Sequence, residues 1–270
     1  MAFPVDGGVE MSFSGKVALV TGAGSGIGRA TAIELARQGA RIGALGRGVD
    51  ELESLATEIR AFGGCCHVLA ADISREDQLR DAVERLVSAE GRLDVVVANA
   101  GINGVWAPID DLTPSEWDRT IAVNLRGTYL TLHLSVPHLK RAGGGSIVVV
   151  SSINGTRTFT SAGATAYAAT KAAQLAMVQQ LALELGKAHI RINAVCPGAV
   201  ETNIDENTER RHTEDAEIPV IWPEGEIPVT DGKPGTARDV AEAILFLASP
   251  AASHITGTPL WIDGGQGLLR

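Results

Sequence analysis

The sequence predicts an α/β fold: a doubly wound parallel sheet of about seven strands, with helices on both faces, in a single domain. Three observations predict it. Short apolar runs such as Ile147-Val148-Val149-Val150 alternate along the chain with stretches whose apolar residues recur at helical spacing. The runs are apolar almost throughout, which suits strands covered on both faces. A glycine-rich turn separates the first run from the first helix, where such folds aim backbone N–H groups and a helix N-terminus at a phosphate.

Lys16 to Val20 is the first strand, ending at Thr21-Gly22-Ala23-Gly24-Ser25-Gly26-Ile27-Gly28. The helix after it places Gly28, Ala32, Leu35 and Ala36 on one face. The glycines follow T-G-x-x-x-G-x-G; Ile27 stands where G-x-G-x-x-G would need its third glycine. Arg41 to Leu45 is the second strand, followed by Gly46-Arg47. A dinucleotide fold usually places an acid here, on the adenosine ribose hydroxyls. Gly46 instead leaves space, and the Arg47 guanidinium can pair with a 2′-phosphate that a carboxylate would repel. NADP(H) is therefore expected over NAD(H). The alternative is that Arg47 stacks on the adenine, which suits either coenzyme.

Leu52, Leu55 and Ile59 mark the next helix, and a third strand follows around His67 to Ala70. Asp72-Ile73 then stands where it can contact the adenine edge. A helix with Leu79, Val83 and Leu86 leads to the fourth strand, Leu93 to Ala98, which runs into Asn99-Ala100-Gly101. Ser115 to about Arg141 reads as one long helix containing Asn124, with Pro137 expected to bend its end or break it. Gly143-Gly144-Gly145 turns into the fifth strand, which ends at Ser151-Ser152. The next helix reaches about Gly186, and the sixth strand, Arg191 to Val195, leaves through Cys196-Pro197-Gly198-Ala199-Val200-Glu201-Thr202. Residues 203–233 are polar, acidic and proline-punctuated, with Trp222 between Ile221 and Pro223, as in a lid or binding loop. Thr236 with Asp239 three residues on predicts a capping box for a helix lined by Val240, Ile244 and Leu247. Pro259 to Ile262 is the last strand, before Asp263-Gly264-Gly265.

Bulk properties narrow the function classes. The chain has 270 residues, 45% of them apolar, enough for one α/β domain with a full core. A net charge of -9 argues against nucleic acid and anionic membrane as partners. No apolar run approaches the about 18 residues of a membrane span. No Lys or Arg precedes Lys16, and Pro4 and Asp6 interrupt any apolar leader, so no signal peptide is expected and Met1 to Ser14 reads as a mobile extension. Cys65, Cys66 and Cys196 form no paired framework and read as reduced thiols of a cytosolic protein. The six histidines are scattered, and no metal site is expected.

The chemistry centres on residues 152–171. Tyr167 and Lys171 are four apart and share a helix face. An ammonium beside a phenol favours the phenolate, so the tyrosine pKa is expected to fall from about 10. A tyrosine tuned this way can take a proton from an alcohol or give one to a carbonyl. Ser152 ends a buried strand, where ligands bind in open α/β sheets.

With these pieces in order, the chain resembles a short-chain dehydrogenase/reductase of the single-domain, Rossmann type from Gly15 to Gly265. The resemblance rests on Thr21-Gly22-x-x-x-Gly26-x-Gly28, Asn99-Ala100-Gly101, Asn124, Ser152, Tyr167-x-x-x-Lys171, Pro197-Gly198 with Thr202, and Asp263-Gly264-Gly265. It implies Tyr167 as general acid/base and Lys171 as the group that tunes it and holds the nicotinamide ribose. It implies Ser152 as donor to the substrate oxygen and Asn124 as holder of a relay water. Gly22, Ser25 and Ile27 would wrap the pyrophosphate, Asp72 and Ile73 the adenine, and Asn99, Ala100 and Gly101 the ribose side. Val200 and Thr202 would hold the carboxamide. Two departures stand out: Ala98 precedes Asn99 where an asparagine is often found, and the stretch from Ser152 to Tyr167 is slightly longer than usual. The extra length carries Arg157, which can meet an anionic substrate group or remain a solvated surface residue.

The resulting expectation is an NADP(H)-dependent oxidoreductase acting on a small polar or cyclic alcohol or ketone. Asn103, Trp106, Asn154, Arg157 and Trp222 are its candidate substrate contacts. A 3-oxoacyl carrier-protein reductase is the alternative, disfavoured by the acidic charge. A silent dinucleotide-binding sensor is the alternative of another class, and the intact Asn124, Ser152, Tyr167 and Lys171 count against it. The apolar helices at about 115–141 and 165–186 exceed one inward stripe, so a homotetramer, or a homodimer, is expected.

Overall fold

The structure is a computed structural model, and it describes residues 12–202, 208–217 and 227–269. Trp222 lies outside these residues, as do residues 1–11 of the expected extension.

The elements follow the expected alternation. The first half contains β1 (Val17–Thr21), α1 (Gly26–Arg37), β2 (Arg41–Gly46), α2 (Val49–Ala61), β3 (Cys65–Ala70), α3 (Glu76–Glu90) and β4 (Val95–Ala98). Next come β5 (Gly104–Trp106), α4 (Pro114–Thr120), α5 (Gly127–Arg141) and β6 (Gly145–Val150). The remainder is α6 (Thr165–Gly186), β7 (Ile190–Pro197), β8 (Val200–Glu201), β9 (Thr208–Arg210), β10 (Gly235–Thr236), α7 (Ala237–Ala248) and β11 (Pro259–Ile262). Seven strands form one sheet in the order β11-β7-β6-β4-β1-β2-β3, and every pairing in it is parallel.

Two cores flank the sheet. Leu35, Leu52, Ile59 and Ile244 from α1, α2 and α7 pack on one face; Leu79, Leu86, Leu130, Leu139 and Leu185 from α3, α5 and α6 pack on the other. Each fully buried Leu or Ile contributes about 1.5–3 kcal/mol relative to exposure, which is why the apolar strand runs predicted the layers correctly. The Thr236–Asp239 capping box forms in both directions.

The structure departs from the sequence reading at several places. Phe13 is buried in the first core and its N–H donates to Gln38 O, so the body begins before Gly15. The long helix expected from Ser115 is interrupted by a π turn, Ile121–Arg126, and Pro137 sits inside α5 without ending it. Two short parallel ribbons, β5 with β9 and β8 with β10, were not foreseen. The first ties the segment after Thr208 to the loop following β4, and Arg211 locks it there with paired bonds to Asp111 and Glu116. Among the described residues, no helix is long and apolar enough to cross a membrane.

Candidate active site

The strand order reverses at β1 and β4, which opens a crevice at their C-terminal ends. Thr21 and Asn99 stitch this point together. The Asn99 and Ala100 N–H groups donate to Thr21 Oγ1, at 3.0 and 3.1 Å, and Asn99 Nδ2 donates to the carbonyls of Thr21 and Gly22. Asn99 is therefore scaffold for the glycine loop, its amide already committed to protein. A cavity of about 670 Å³ runs along the crevice. The expected residues Gly22, Ser25, Gly26 and Ile27 line its floor, Asp72 and Ile73 one side, and Asn99, Ala100 and Gly101 the other. Arg47 and Thr202 also border it, whereas Pro197, Gly198 and Val200 stand outside its lining, at the end of β7 and in β8.

The cavity suits a dinucleotide in size and in the close approach of its backbone. A Cβ on Gly28 would lie 2.1 Å from Gly22 O and 2.5 Å from Asn99 Nδ2. Gly28→Ala is therefore expected to weaken dinucleotide binding at least about tenfold and to cost about 1–3 kcal/mol of stability. Coenzyme fluorescence titration and thermal melting would check both. Near Arg47 the structure adds a residue the sequence reading missed. Glu51, in the first turn of α2, also lines the cavity, and its Oε2 lies 1.5 Å from where a Cβ on Gly48 would stand. A carboxylate thus lines the cavity near Arg47 after all, supplied by the helix and not by the strand end.

Beyond Gly101 the crevice meets the polar cluster of α6. Tyr167, Lys171, Ser152 and Asn124 are all buried. The Ser152 hydroxyl faces the Tyr167 phenol closely enough to lower its pKa, while Ser151 Oγ turns away to donate to Lys171 O at 2.8 Å. Lys171 Nζ lies 5.4 Å from the tyrosine ring centroid and donates to Val150 O at 2.9 Å. Asn124 Oδ1 and Lys171 Nζ flank Gly101, at 3.3 and 3.6 Å from the position of a Cβ there.

The electrostatics differ from the simple expectation of a depressed phenol. Burial raises the Tyr167 pKa to about 12, with the Ser152 hydroxyl pulling it back only in part. Burial likewise lowers the Lys171 ammonium to about 8. Sharing a helix face brings the two side chains together, but removing both from water outweighs their mutual influence. Around neutrality the site therefore holds a protonated phenol, a weaker acid than free tyrosine, beside an ammonium.

Asn124 sits in the π turn, whose widened backbone aims it across the fold. Its Oδ1 accepts from Ile102 N–H and its Nδ2 donates to Ile102 O, both at 2.8 Å. Its own carbonyl accepts from Gln174 Nε2 and Thr128 Oγ1. Asn124 thus braces the loop after β4 against α6. Gln174 was not picked out from sequence, although a glutamine three residues after Lys171 in an apolar helix was a visible signal.

The expected substrate contacts separate. The Trp106 ring lies 6.4 Å from the Tyr167 ring, with Arg210 stacked on it at 5.1 Å. Asn103 is buried and its Nδ2 donates to Thr208 Oγ1, so it anchors β9. Asn154 donates its N–H to Ser152 Oγ and accepts from Ser161. Gly155, at φ +80°, presses its backbone on Ala168 O, where any Cβ would clash at 2.1 Å. Arg157 corrects the sequence reading. It stacks 3.7 Å above the Trp261 ring, with Asp263 at 4.0 Å, so its charge ties the inserted turn to the C-terminal strand instead of facing an anionic substrate or open solvent.

A family model described as enoyl-(acyl carrier protein) reductase matches residues 22–266. The 3-oxoacyl-[acyl-carrier-protein] reductase FabG of Thermotoga maritima is 38% identical over 257 residues, covering 94% of this chain and 99% of that protein. The L-rhamnose 1-dehydrogenase (NAD(P)(+)) of Azotobacter vinelandii is 39% identical over 260 residues, covering 93% and 96%. Among solved structures, a 3-ketoacyl-ACP reductase from Sinorhizobium meliloti 1021 superposes with a TM-score of 0.91 at 69% identity, covering 94% of this chain and all of that one. A match over nearly the whole length, on a seven-stranded parallel sheet with its crevice at the β1/β4 switch, leaves one conclusion: the chain belongs to the short-chain dehydrogenase/reductase family, whose members are oxidoreductases acting on alcohol and carbonyl groups with NAD(P)(H).

Proposed function

We propose that this enzyme interconverts a small polar or cyclic ketone and its alcohol with a preference for NADP(H), using Tyr167 as general acid/base. The observation that carries this reading is the buried Ser152–Tyr167–Lys171 cluster beside Gly101, where the dinucleotide cavity ends. The glycine loop, Asp72, Ile73 and the Asn99–Gly101 backbone would hold the coenzyme, which supplies or accepts the hydride when bound. The substrate oxygen would lie between the Ser152 and Tyr167 hydroxyls. In reduction, the phenol O–H gives its proton to that oxygen as negative charge develops on it, and Ser152 donates a second hydrogen bond to the same charge. The Lys171 ammonium then stabilises the phenolate left behind, and Asn124, at Gly101, would hold the water that returns the proton. Trp106 would supply the apolar wall opposite the tyrosine ring, and β9, held by Arg211 on Asp111 and Glu116, would form a fixed cover over the pocket.

Support for NADP(H) comes from Arg47 at the cavity edge, and Glu51 opposes it. Arg47→Ala is expected to lower kcat/KM for NADPH about tenfold or more, the scale of a lost charge-assisted hydrogen bond, with little change for NADH. Glu51→Gln is expected to raise the NADPH preference. Parallel kinetics with both coenzymes would test these statements, and a parent enzyme clearly favouring NADH would overturn the preference.

A second reading is reduction of a 3-oxoacyl group on a carrier protein, favoured by the name of the 69% identical structure. The net charge of -9 stands against docking an acidic carrier. Rates on free cyclic and sugar-like carbonyls, compared with a 3-oxoacyl thioester free and carrier-bound, separate the two readings. Faster turnover of the carrier-bound thioester would decide for the second.

We also infer a homo-oligomer, a tetramer before a dimer. Leu183 on α6 is 84% exposed and Tyr129 on α5 is 50% exposed, apolar surface that a monomer would leave in water. Light scattering should give a multiple of the monomer mass; a monomer would refute this.

A further inference from the structure

We infer that Cys65, His67 and Glu90 form a binding site for a divalent transition metal, Zn²⁺ by ligand type, at the outer edge of the sheet. From sequence alone no metal site was expected, because the third ligand is far along the chain. The fold supplies it. Cys65 and His67 alternate on β3 and therefore share one face, and Glu90 is the last residue of α3, packed against that face. Cys65 Sγ lies 3.7 Å from His67 Nε2 and 4.0 Å from Glu90 Oε1, and the last two atoms are hydrogen-bonded to each other. All three donors fall within 4.8 Å of one another.

These separations approach three corners of a tetrahedron. With Zn–S at about 2.3 Å and Zn–N or Zn–O at about 2.0–2.1 Å, tetrahedral donors stand roughly 3.3–3.6 Å apart. The sulfur need move only a few tenths of an ångström, while the imidazole and carboxylate must exchange their hydrogen bond for the ion and part by about 1 Å. The thiolate, imidazole and carboxylate would fill three positions, and water the fourth.

The surroundings are built for such a role. The Glu90 side chain is only 6% exposed, and its other oxygen is held by Arg41 Nε, an outer partner that fixes the carboxylate's orientation. His67 also borders an open cavity of about 890 Å³, which gives the ion an entry path. All three ligands stand on regular elements, so little ordering is needed on binding. Binding replaces the Cys65 thiol proton by the metal and releases that proton to solvent; no electron is transferred. The ion would clip β3, the last strand of the sheet order, to the end of α3. Because Cys65 opens β3, while the dinucleotide cavity lies at the strands' C-terminal ends, the metal would act on stability and leave turnover unchanged.

The test uses untagged, chelator-treated full-length protein and Zn²⁺ alone. Equilibrium dialysis with metal analysis should find one Zn²⁺ per chain. Cys65→Ser and His67→Gln should each weaken retention by at least about tenfold, and Cys66→Ser should leave it unchanged. Zn²⁺ should raise the parent's melting temperature but not that of Cys65→Ser. Co²⁺ added to the parent should give a thiolate-to-metal charge-transfer band with four-coordinate d–d intensity, a readout independent of how any variant folds. Absence of stoichiometric Zn²⁺, retention undiminished in Cys65→Ser, or a Co²⁺ spectrum without the thiolate band would overturn the proposal. The cluster would then be an ion-pair network only.

Discussion

Tyr167→Phe is expected to lower kcat/KM by about 10²–10⁴-fold, the contribution of a positioned general acid/base. The substitution removes one oxygen from a buried ring, so the fold should hold. Ser152 Oγ would keep its bond from Asn154 N–H at 3.1 Å, which limits disturbance of the pocket. The coenzyme Kd should change less than about tenfold, because the cavity proposed to hold the dinucleotide is lined by other residues. Loss of turnover with retained binding would therefore separate proton transfer from coenzyme capture. The direction of the reaction adds a pH signature. With its pKa at about 12, the phenol is protonated at neutral pH and suited to reduction. Alcohol oxidation needs the phenolate, so the oxidative rate should rise with pH and the reductive rate should not. Parent and variant rates in both directions across pH would check this; full turnover in Tyr167→Phe would end the assignment.

What the sequence revealed, and what it hid, follows the range of the interactions concerned. Strands buried on both faces must be apolar along their length, so β1, β4 and β6 could be read from Val and Ile runs alone. The Thr236 cap was legible because both partners lie within one turn. The ribbon between β5 and β9 was not, because three-residue strands have no periodicity and their partners stand about a hundred positions apart, as the Asn103–Thr208 bond shows. The π turn at Asn124 was hidden because one extra residue per turn barely shifts an apolar pattern. At the candidate site, spacing showed that Tyr167 and Lys171 would meet, but not how thoroughly both would be buried, so the sign of the tyrosine shift was missed. Arg157 was misread because its partners, Trp261 and Asp263, arrive from the far end of the chain.

Lys171→Met should pair a large loss of activity with a stability that is unchanged or raised at neutral pH. The folded-state pKa of Lys171 is depressed from 10.5 to about 8. Below pH 8 the folded protein must carry a buried charge that the unfolded chain keeps in water, a penalty of about 3 kcal/mol. The penalty fades as pH rises from 8 to about 10.5, so parent stability should climb across that window. Tyr167 acts in the opposite sense at higher pH. Its raised pKa favours the folded state's neutral phenol, so stability falls as the unfolded tyrosine ionises from about pH 10 upward. Methionine fills much the same volume without the charge, but leaves Val150 O without its donor, a loss of about 1–3 kcal/mol. At neutral pH the two nearly cancel or leave a net gain of about 1–2 kcal/mol, which for a chain of this size raises Tm by roughly 2–6 °C. The sharper signature is that the variant loses the stability rise between pH 8 and 10.5 that the parent shows. Turnover should fall at least about 10²-fold, because no cation remains beside the phenolate that forms when Tyr167 gives up its proton. Thermal melts across pH, run beside steady-state kinetics, would test both halves. A variant that keeps turnover would remove Lys171 from proton transfer, and a parent with flat stability in that window would show that burial does not penalise the ammonium.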